Sequence, residues 1–253
     1  MRGHTLTNAE KAVAAGQPLT YEQMLAVVGY AWTGETGENQ CFALTQDAEY
    51  IYAGLATIPA KVMKIAKATM ATSDTWTGAV GEDGCYGLCQ DTDYVYAGVF
   101  TSPAKVMKIA KATMTTTATW TGAGGEELCQ CLDQDTDYVY AGLNTVPAKV
   151  MKIAKVFMAT TVGTWTGAVG ENSCYALCQD TDYVYAGLYI IPAKVIKIAK
   201  VTMTTSAAWT DAAGENDCRS LTQDAEYIYA GLFTSPAKVI KIDNRRHFPR
   251  FYR

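Results

Sequence analysis

Short apolar runs with strand-like alternation recur along the chain, separated by breaks rich in Gly, Pro, Asp and Thr. "YIYAGL" begins at 50 and 227, "YVYAGL" at 138 and 183, and "YVYAGV" at 94, each preceded by an acidic turn, D-A-E or D-T-D. A second run, "KVMKI" or "KVIKI", follows each of them beyond a loop containing Pro. Tyr, Val and Ile suit a pleated, half-buried surface, so both runs predict β-strands. A helical repeat would need apolar residues at i, i+3, i+4 and i+7 over roughly ten residues. Pro59, Pro103, Pro147, Pro192 and Pro236 interrupt any such run.

The pattern has a fixed period. Trp32, Trp76, Trp120, Trp165 and Trp209 are spaced 44, 44, 45 and 44 residues apart. Each unit carries a Gly-Glu pair, a Cys, a short alternating stretch such as "CYALCQ", the acidic turn, the Tyr run, the Pro loop, the Lys run and a Thr-rich turn. This predicts four strands joined by turns. Four strands in about 44 residues is the size of one β-propeller blade, and the pattern resembles the YVTN and WD40-like superfamily of propeller repeats. The resemblance covers roughly residues 30–242, and its specific part is "CYALCQDTDYVYAGLYIIPAKVIKI" at 174–198. The WD dipeptide and the GH signature are missing, so the partners of WD40 proteins do not follow from it.

A linear β-solenoid could also use such a repeat, and the expectation of a ring rests on the two ends. "YAWTG" at 30–34 precedes the first inner strand, whereas the last unit runs "KVIKIDNRRHFPRFYR" without a Trp strand. One further period from Trp209 reaches 253, where the sequence stops. The N-terminal strand is therefore expected beside residues 238–242 as the outer strand of the last blade. The result is an all-β, closed five-bladed β-propeller over 30–242 in which no blade lacks a neighbour. Before it, 1–29 predicts a short helical appendage: Thr7 or Asn8 caps a helix through 11–15, Gly16 ends it, and Pro18-Leu19-Thr20 with Glu22 resembles a second start. It either packs on the propeller edge or serves assembly. Residues 243–253 form a basic-aromatic tail.

Composition narrows the partners. Net charge is −4 and the pI about 5.3, so the body has no general attraction for nucleic acid or an acidic membrane. "MRGHTLTNAEKAVAAGQ" lacks the apolar core of a secretory signal, and the apolar run at 24–30 is too short to span a bilayer. Cytosolic synthesis without Sec export and without membrane insertion is expected, which is compatible with a place in a released particle. Cys41, Cys85, Cys129, Cys174 and Cys218 hold one repeat position, with Cys89, Cys131 and Cys178 as extras. Equivalent positions in successive units seldom meet at disulfide spacing. His4 and His247 lie in the terminal segments, leaving the cysteines without companion zinc ligands. They read as small buried apolar residues. Ala43, Gly87, Cys131, Ala176 and Ser220, two positions on, are also small and let five inner strands crowd around a narrow axis.

Catalysis needs unlike groups that converge. The repeats contain no His and no recurring Ser, and the turn acids, Asp91 and Asp93 for example, read as residues that bond their own backbone. Two or three such oxygens fall short of a calcium site. The expectation is a non-enzymatic protein without metal or cofactor.

Loops that leave one face of the ring carry the remaining candidates. Glu38, Glu82, Glu126, Glu171 and Glu215 each follow Gly, and Ala56, Phe100, Asn144, Tyr189 and Phe233 stand in the loop before Pro. A carboxylate or amide beside an aromatic face suits a sugar, which points to a lectin-like site at each blade junction. The Glu residues could instead bond backbone N–H groups or pair with Lys61, Lys105, Lys149, Lys194 and Lys238. In the tail, Arg245, Arg246, Arg250 and Arg253 stand among Phe248, Phe251 and Tyr252, a mix that suits partner contact, while a solvated or back-docked terminus and nucleic-acid stacking are the alternatives. Two functions follow. The first is a multivalent binding module for glycan or protein ligands; the alternative is a structural subunit of a larger assembly, a virion or surface appendage, with homo-oligomeric contacts through the terminal segments.

Overall fold

A computed structural model describes residues 31–212 and 215–244, together with Gly16. Among the described residues the strands form five antiparallel sheets, one per sequence unit, each paired in chain order. The first blade is β1 (Cys41–Gln46), β2 (Tyr50–Leu55), β3 (Lys61–Ala66) and β4 (Ala71–Thr77). The second is β5 (Cys85–Gln90), β6 (Tyr94–Val99), β7 (Lys105–Ala110) and β8 (Thr115–Thr121). The third is β9 (Cys129–Gln134), β10 (Tyr138–Leu143), β11 (Lys149–Ala154) and β12 (Thr161–Thr166). The fourth is β13 (Cys174–Gln179), β14 (Tyr183–Leu188), β15 (Lys194–Ala199) and β16 (Thr204–Thr210). The fifth holds β17 (Cys218–Gln223), β18 (Tyr227–Leu232) and β19 (Lys238–Asp243). This is a propeller-like repeat fold.

The core lies between blades. Tyr52, Val62 and Trp76 of the first blade pack on Val95, Ile109 and Met114 of the second. Tyr96, Val106 and Trp120 repeat this against Val139, Ile153 and Met158, and Tyr140, Val150 and Trp165 against Val184, Ile198 and Met203. Since a middle blade is covered on both faces, β6, β10 and β14 are buried almost throughout, which explains their continuous apolar sequence. Each buried Tyr or Trp contributes about 1.5–3 kcal/mol. The Trp indoles also find partners: the Nε1 groups of Trp76, Trp120 and Trp165 donate to Thr116, Thr161 and Thr205 of the next blade at 2.8, 2.9 and 2.8 Å. Met114, Met158 and Met203 close the β3–β4 type of turn at φ 45°, 46° and 51°. That left-handed backbone costs about 1–2 kcal/mol per residue and is offset by burial of the thioether between blades.

The two ends differ from the middle. Residues 31–34 form no strand, Tyr30 lies outside the described residues, and the fifth sheet has three strands, so the expected closing strand is not seen in place. Trp32 instead rests on blade 1, against Ala53, Leu55, Met63 and Ile65, and donates to Thr72 at 2.8 Å, as Trp76 does to Thr116. Successive inner strands lie side by side from β1 to β17, but β17 and β1 do not pack together in that way. Leu44 is 66% exposed where Leu88 is 8%, and Val239 is 73% exposed where its four counterparts, Val62, Val106, Val150 and Val195, are 0%. Apart from Gly16, which stands in a turn, the appendage expected over 1–29 lies outside the described residues. No helix among the described residues is long and apolar enough to cross a membrane.

Candidate functional site

Four of the Gly-Glu loops build the same clip, and the fifth shares its lysine pair. Glu82 Oε2 accepts from the Ala79 N–H at 2.8 Å, closing its own turn, while Oε1 accepts from Lys105 Nζ at 2.9 Å. Glu38 does this with the Glu35 N–H and Lys61, Glu126 with the Ala123 N–H and Lys149, and Glu171 with the Ala168 N–H and Lys194. Glu215 pairs with Lys238. The Lys61 bond is the main cause that holds Glu38 below the usual carboxylate range. Burial would raise Glu171, but Lys194 and the Ala168 N–H outweigh it and lower it. All five carboxylates are engaged in joining a loop to the third strand of its blade.

The loop positions before Pro gather with residues the sequence reading passed over. In every blade the pairing of inner and second strand slips at the second inner residue: Cys41 opposes Leu55 and Ala43 opposes Gly54, so Phe42 is bulged out. The same slip frees Tyr86, Gln130, Tyr175 and Arg219. A bulge re-aims the side chain it frees. Phe42 stacks on Tyr86 at 4.5 Å between centroids, and Tyr86 on Phe100 at 4.6 Å. Tyr175 stacks on Tyr189 at 4.7 Å, and Arg219 stands against both rings and Phe233. Blade 3 has no ring here: Asn144 accepts from Ser173 Oγ at 2.5 Å, and its inner-strand neighbour is Gln130. Ala56 is half-buried. The candidate residues thus fall into two aromatic clusters, over blades 1–2 and 4–5, rather than five equal sites. The signal for the missed residues was their variation after a constant Cys: Phe, Tyr, Gln, Tyr, Arg.

On the opposite face the acidic turns make a second repeated network. Asp91 Oδ1 accepts from the Asp93 and Tyr94 N–H groups at 3.2 and 3.0 Å, and Oδ2 from the Tyr96 hydroxyl at 2.8 Å. A lysine from the next blade joins three of these acids: Lys111 to Asp47, Lys155 to Asp91 and Lys200 to Asp135, at 3.1, 3.3 and 3.1 Å. Burial raises Asp47, yet the bonds from Tyr50, Tyr52 and Lys111 bring its carboxyl down to about 2. The hollow at the first junction, about 620 Å³, is lined by these mutually bonded groups, Asp47, Tyr52, Gln90 and Lys111 among them. This wiring joins blades and holds its acids ionised.

All eight cysteines are free. Cys85, Cys129, Cys174 and Cys218 lie against Gly54, Gly98, Gly142 and Gly187 of the preceding blade. Burial pushes the Cys218 thiol up to about 12 and raises Cys85 and Cys129 as well, so these sulfurs are packing atoms. Among the described residues no three His, Cys, Asp or Glu side chains gather as a metal site. Arg245, Arg246, Phe248, Arg250, Phe251, Tyr252 and Arg253 lie outside the described residues.

No family model and no curated protein sequence matches the chain. Solved structures do. U3-55K is similar with a TM-score of 0.61 at 12% identity, over 80% of this chain and 66% of that one. The computationally designed protein Ika8 is similar with a TM-score of 0.55 at 13% identity, over 80% of this chain and 71% of its own. At such identities the likeness shows the fold alone.

Proposed function

We propose that the chain is a non-enzymatic binding module that holds glycans by their apolar faces on the loop side of the blades, at the two aromatic clusters. The observation that carries this reading is the Phe42–Tyr86–Phe100 stack, open to solvent with Phe42 51% exposed. The blade does not need those rings, because blade 3 folds the same way with Gln130 and Asn144 in their place. Adjacent apolar faces left in water mark interaction surfaces. The C–H face of a pyranose is flat and apolar, and it matches such a ring. Two clusters on one face make the module at least bivalent. A glycan array should show binding that Phe100→Ala and Tyr189→Ala each reduce tenfold or more. A blank array with the folded chain would end this reading.

The same reading takes the ring as closed and places the chain in the YVTN and WD40-like group. Support comes from contacts that repeat at the four internal junctions and stop at the ends. The side-chain amides of Gln90, Gln134, Gln179 and Gln223 each donate to the Gln backbone oxygen one blade back, so the Gln46 amide and the Gln223 carbonyl end the ladder. Lys64, Lys108 and Lys152 donate to the carbonyls of Lys111, Lys155 and Lys200 one blade on, and the matching pair is Lys241 with Lys67. A hollow of about 520 Å³ on blade 5, lined by Glu215, Asn216, Thr234 and Lys238, lies where each other blade receives the next Gly-Glu loop. There Ala104 donates to Glu126 O and Ala148 to Glu171 O, at 2.8 and 2.7 Å. Residues 34–38 have the sequence to fill it. Closure predicts slow amide exchange in β19, matching β15; exchange as fast as in an unprotected edge would refute it.

The open faces also favour the second reading, a structural subunit, because a second copy could fill them head to tail. Native mass spectrometry separates the two. A monomer supports the closed ring, and a ladder of multiples supports assembly.

A further inference from the structure

Between residues 31 and 244 the sequence contains a single arginine, Arg219. The bulge of β17 frees it at the position that holds Phe42 in blade 1 and Tyr86 in blade 2. Its guanidinium carbon stands 4.8 Å from the Tyr175 ring centroid, 4.6 Å from that of Tyr189 and 4.7 Å from that of Phe233. A guanidinium that lies against rings keeps its N–H fork in its own plane, pointed away from them. The cations nearby are already engaged, Lys194 by Glu171 and Lys238 by Glu215. Among the described residues, nothing pairs with Arg219 as a carboxylate or takes a hydrogen bond from it. The side chain is exposed; the acid two positions before it, Asp217, is buried and feels the Arg219 charge, but burial outweighs that charge and raises its carboxyl, and the two make no ion pair. This is a cation set among apolar rings with no donor engaged among the described residues, in a protein of net charge −4 whose sheet lysines are mostly tied to acids or carbonyls.

We infer that the cluster of Tyr175, Tyr189, Arg219 and Phe233 is a carboxylate subsite, and that the glycans held on this face are acidic. A uronic or sialic acid unit would lay its ring on Tyr189 or Phe233 and place its carboxylate in the fork of Arg219, in two parallel N–H···O bonds. This inference rests on the glycan reading of the loop face and narrows it to a substrate class.

The test uses the full chain and matched oligosaccharide pairs: lactose and sialyllactose, and neutral and uronic-acid-terminated disaccharides, with a sulfated member added to each set. Titration calorimetry at low and moderate salt is run on the wild type, Arg219→Gln and Arg219→Lys, with melting temperature as the folding control. The exposed position of Arg219 predicts unchanged melting. Expected is a preference of tenfold or more for the carboxylated members, and in Arg219→Gln the ratio of acidic to neutral affinity falls to about one. Arg219→Lys keeps the charge without the fork and should retain only a small part of the preference. An equal preference in wild type and Arg219→Gln overturns the subsite, as does equal binding of neutral and acidic members. Equal binding of sulfated and carboxylated sugars overturns the assignment to carboxylate. Failure of every sugar to bind folded wild-type protein removes the glycan reading itself, an outcome distinct from the others.

Discussion

Replacing Gly98 with Ala tests whether the cysteine column sets the spacing of the blades. A Cβ added at Gly98 would stand 2.4 Å from Cys129 Sγ, 3.3 Å from Cys129 Cβ and 3.4 Å from Leu132 Cγ. Non-bonded carbon atoms pack at about 3.5–4.0 Å and sulfur is no smaller, so about 1 Å of overlap must be relieved by moving β9 away from β6. Overpacking of this kind costs about 1–3 kcal/mol. The backbone of Gly98 is outside the left-handed region, so Ala also restricts the unfolded chain and returns about 0.4–1 kcal/mol. A net loss of about 1–2 kcal/mol results. Cys129→Ala alone removes a fully buried sulfur and costs about 1 kcal/mol. In the double variant the missing sulfur leaves the room the new methyl needs, so the losses should not add; a coupling of about 1–2 kcal/mol is expected. Urea unfolding followed by Trp fluorescence on the four proteins measures it. Gly124→Ala, where an added Cβ meets nothing within 4 Å, should stay within about 0.5 kcal/mol of wild type. Strictly additive losses for the Gly98 and Cys129 variants would refute the argument that sulfur against glycine fixes the blade spacing.

Tyr140→Phe deletes a hydroxyl that donates to Asp135 Oδ2 at 2.8 Å from a fully buried ring, and thermal unfolding should show a loss of about 1.5–3 kcal/mol. Asp133 behaves oppositely to the turn acids, because burial lifts its carboxyl to about 6. Its folded value lies above the unfolded one, so the chain is penalised above pH 6 and relieved as pH falls toward 4. Asp133→Thr, which copies Thr45 and Thr222 of the other inner strands, should therefore stabilise by about 1–2 kcal/mol at pH 8 and by much less at pH 5 in melting experiments. Asp47 is depressed to about 2, and Asp91 and Asp135 are lowered as well. The stability they supply is present above the ordinary carboxylate value and is lost as pH falls from about 4 to 2, so a melting curve that is flat across that window would contradict the bonds drawn to them.

Most of the fold was legible because its determinants are local. The Tyr and Lys runs, the Pro loops and the 44-residue period define the four strands of a blade, and the Asp turns bond their own backbone as residue type implies. Contacts between units were harder to read. The hydroxyl of Tyr96 finds Asp91 five residues away, but the lysine that completes the group, Lys155, is 64 residues from that acid, and no local pattern announces it. The Glu loops were read with both roles open, and the carboxylates turn out to be occupied by Lys and backbone N–H groups. The bulge at the second inner residue escaped because it shifts register without changing residue type. With it went Phe42, Tyr86, Tyr175 and Arg219, whose placement depends on that slip.

Five copies of one unit make an internal control for deciding which residues serve the fold. Where all five agree, the structure supplies a role in the fold: Asp bonding its own turn, Tyr donating to that Asp, Glu paired with a lysine of its blade, Cys at the start of each inner strand. Where they disagree, at the bulge and in the loop before Pro, the backbone is the same in each blade while the side chain runs from Ala to Phe and from Gln to Arg. Packing cannot have required such different groups at equivalent points on equivalent strands. The bulge aims them at solvent, where they meet one another in two clusters instead of filling a core. On the binding reading proposed above, the rings at Phe42, Tyr86 and Tyr189 serve something outside the blade. On that same reading, Arg219 marks the junction at which a ligand's negative charge would be received.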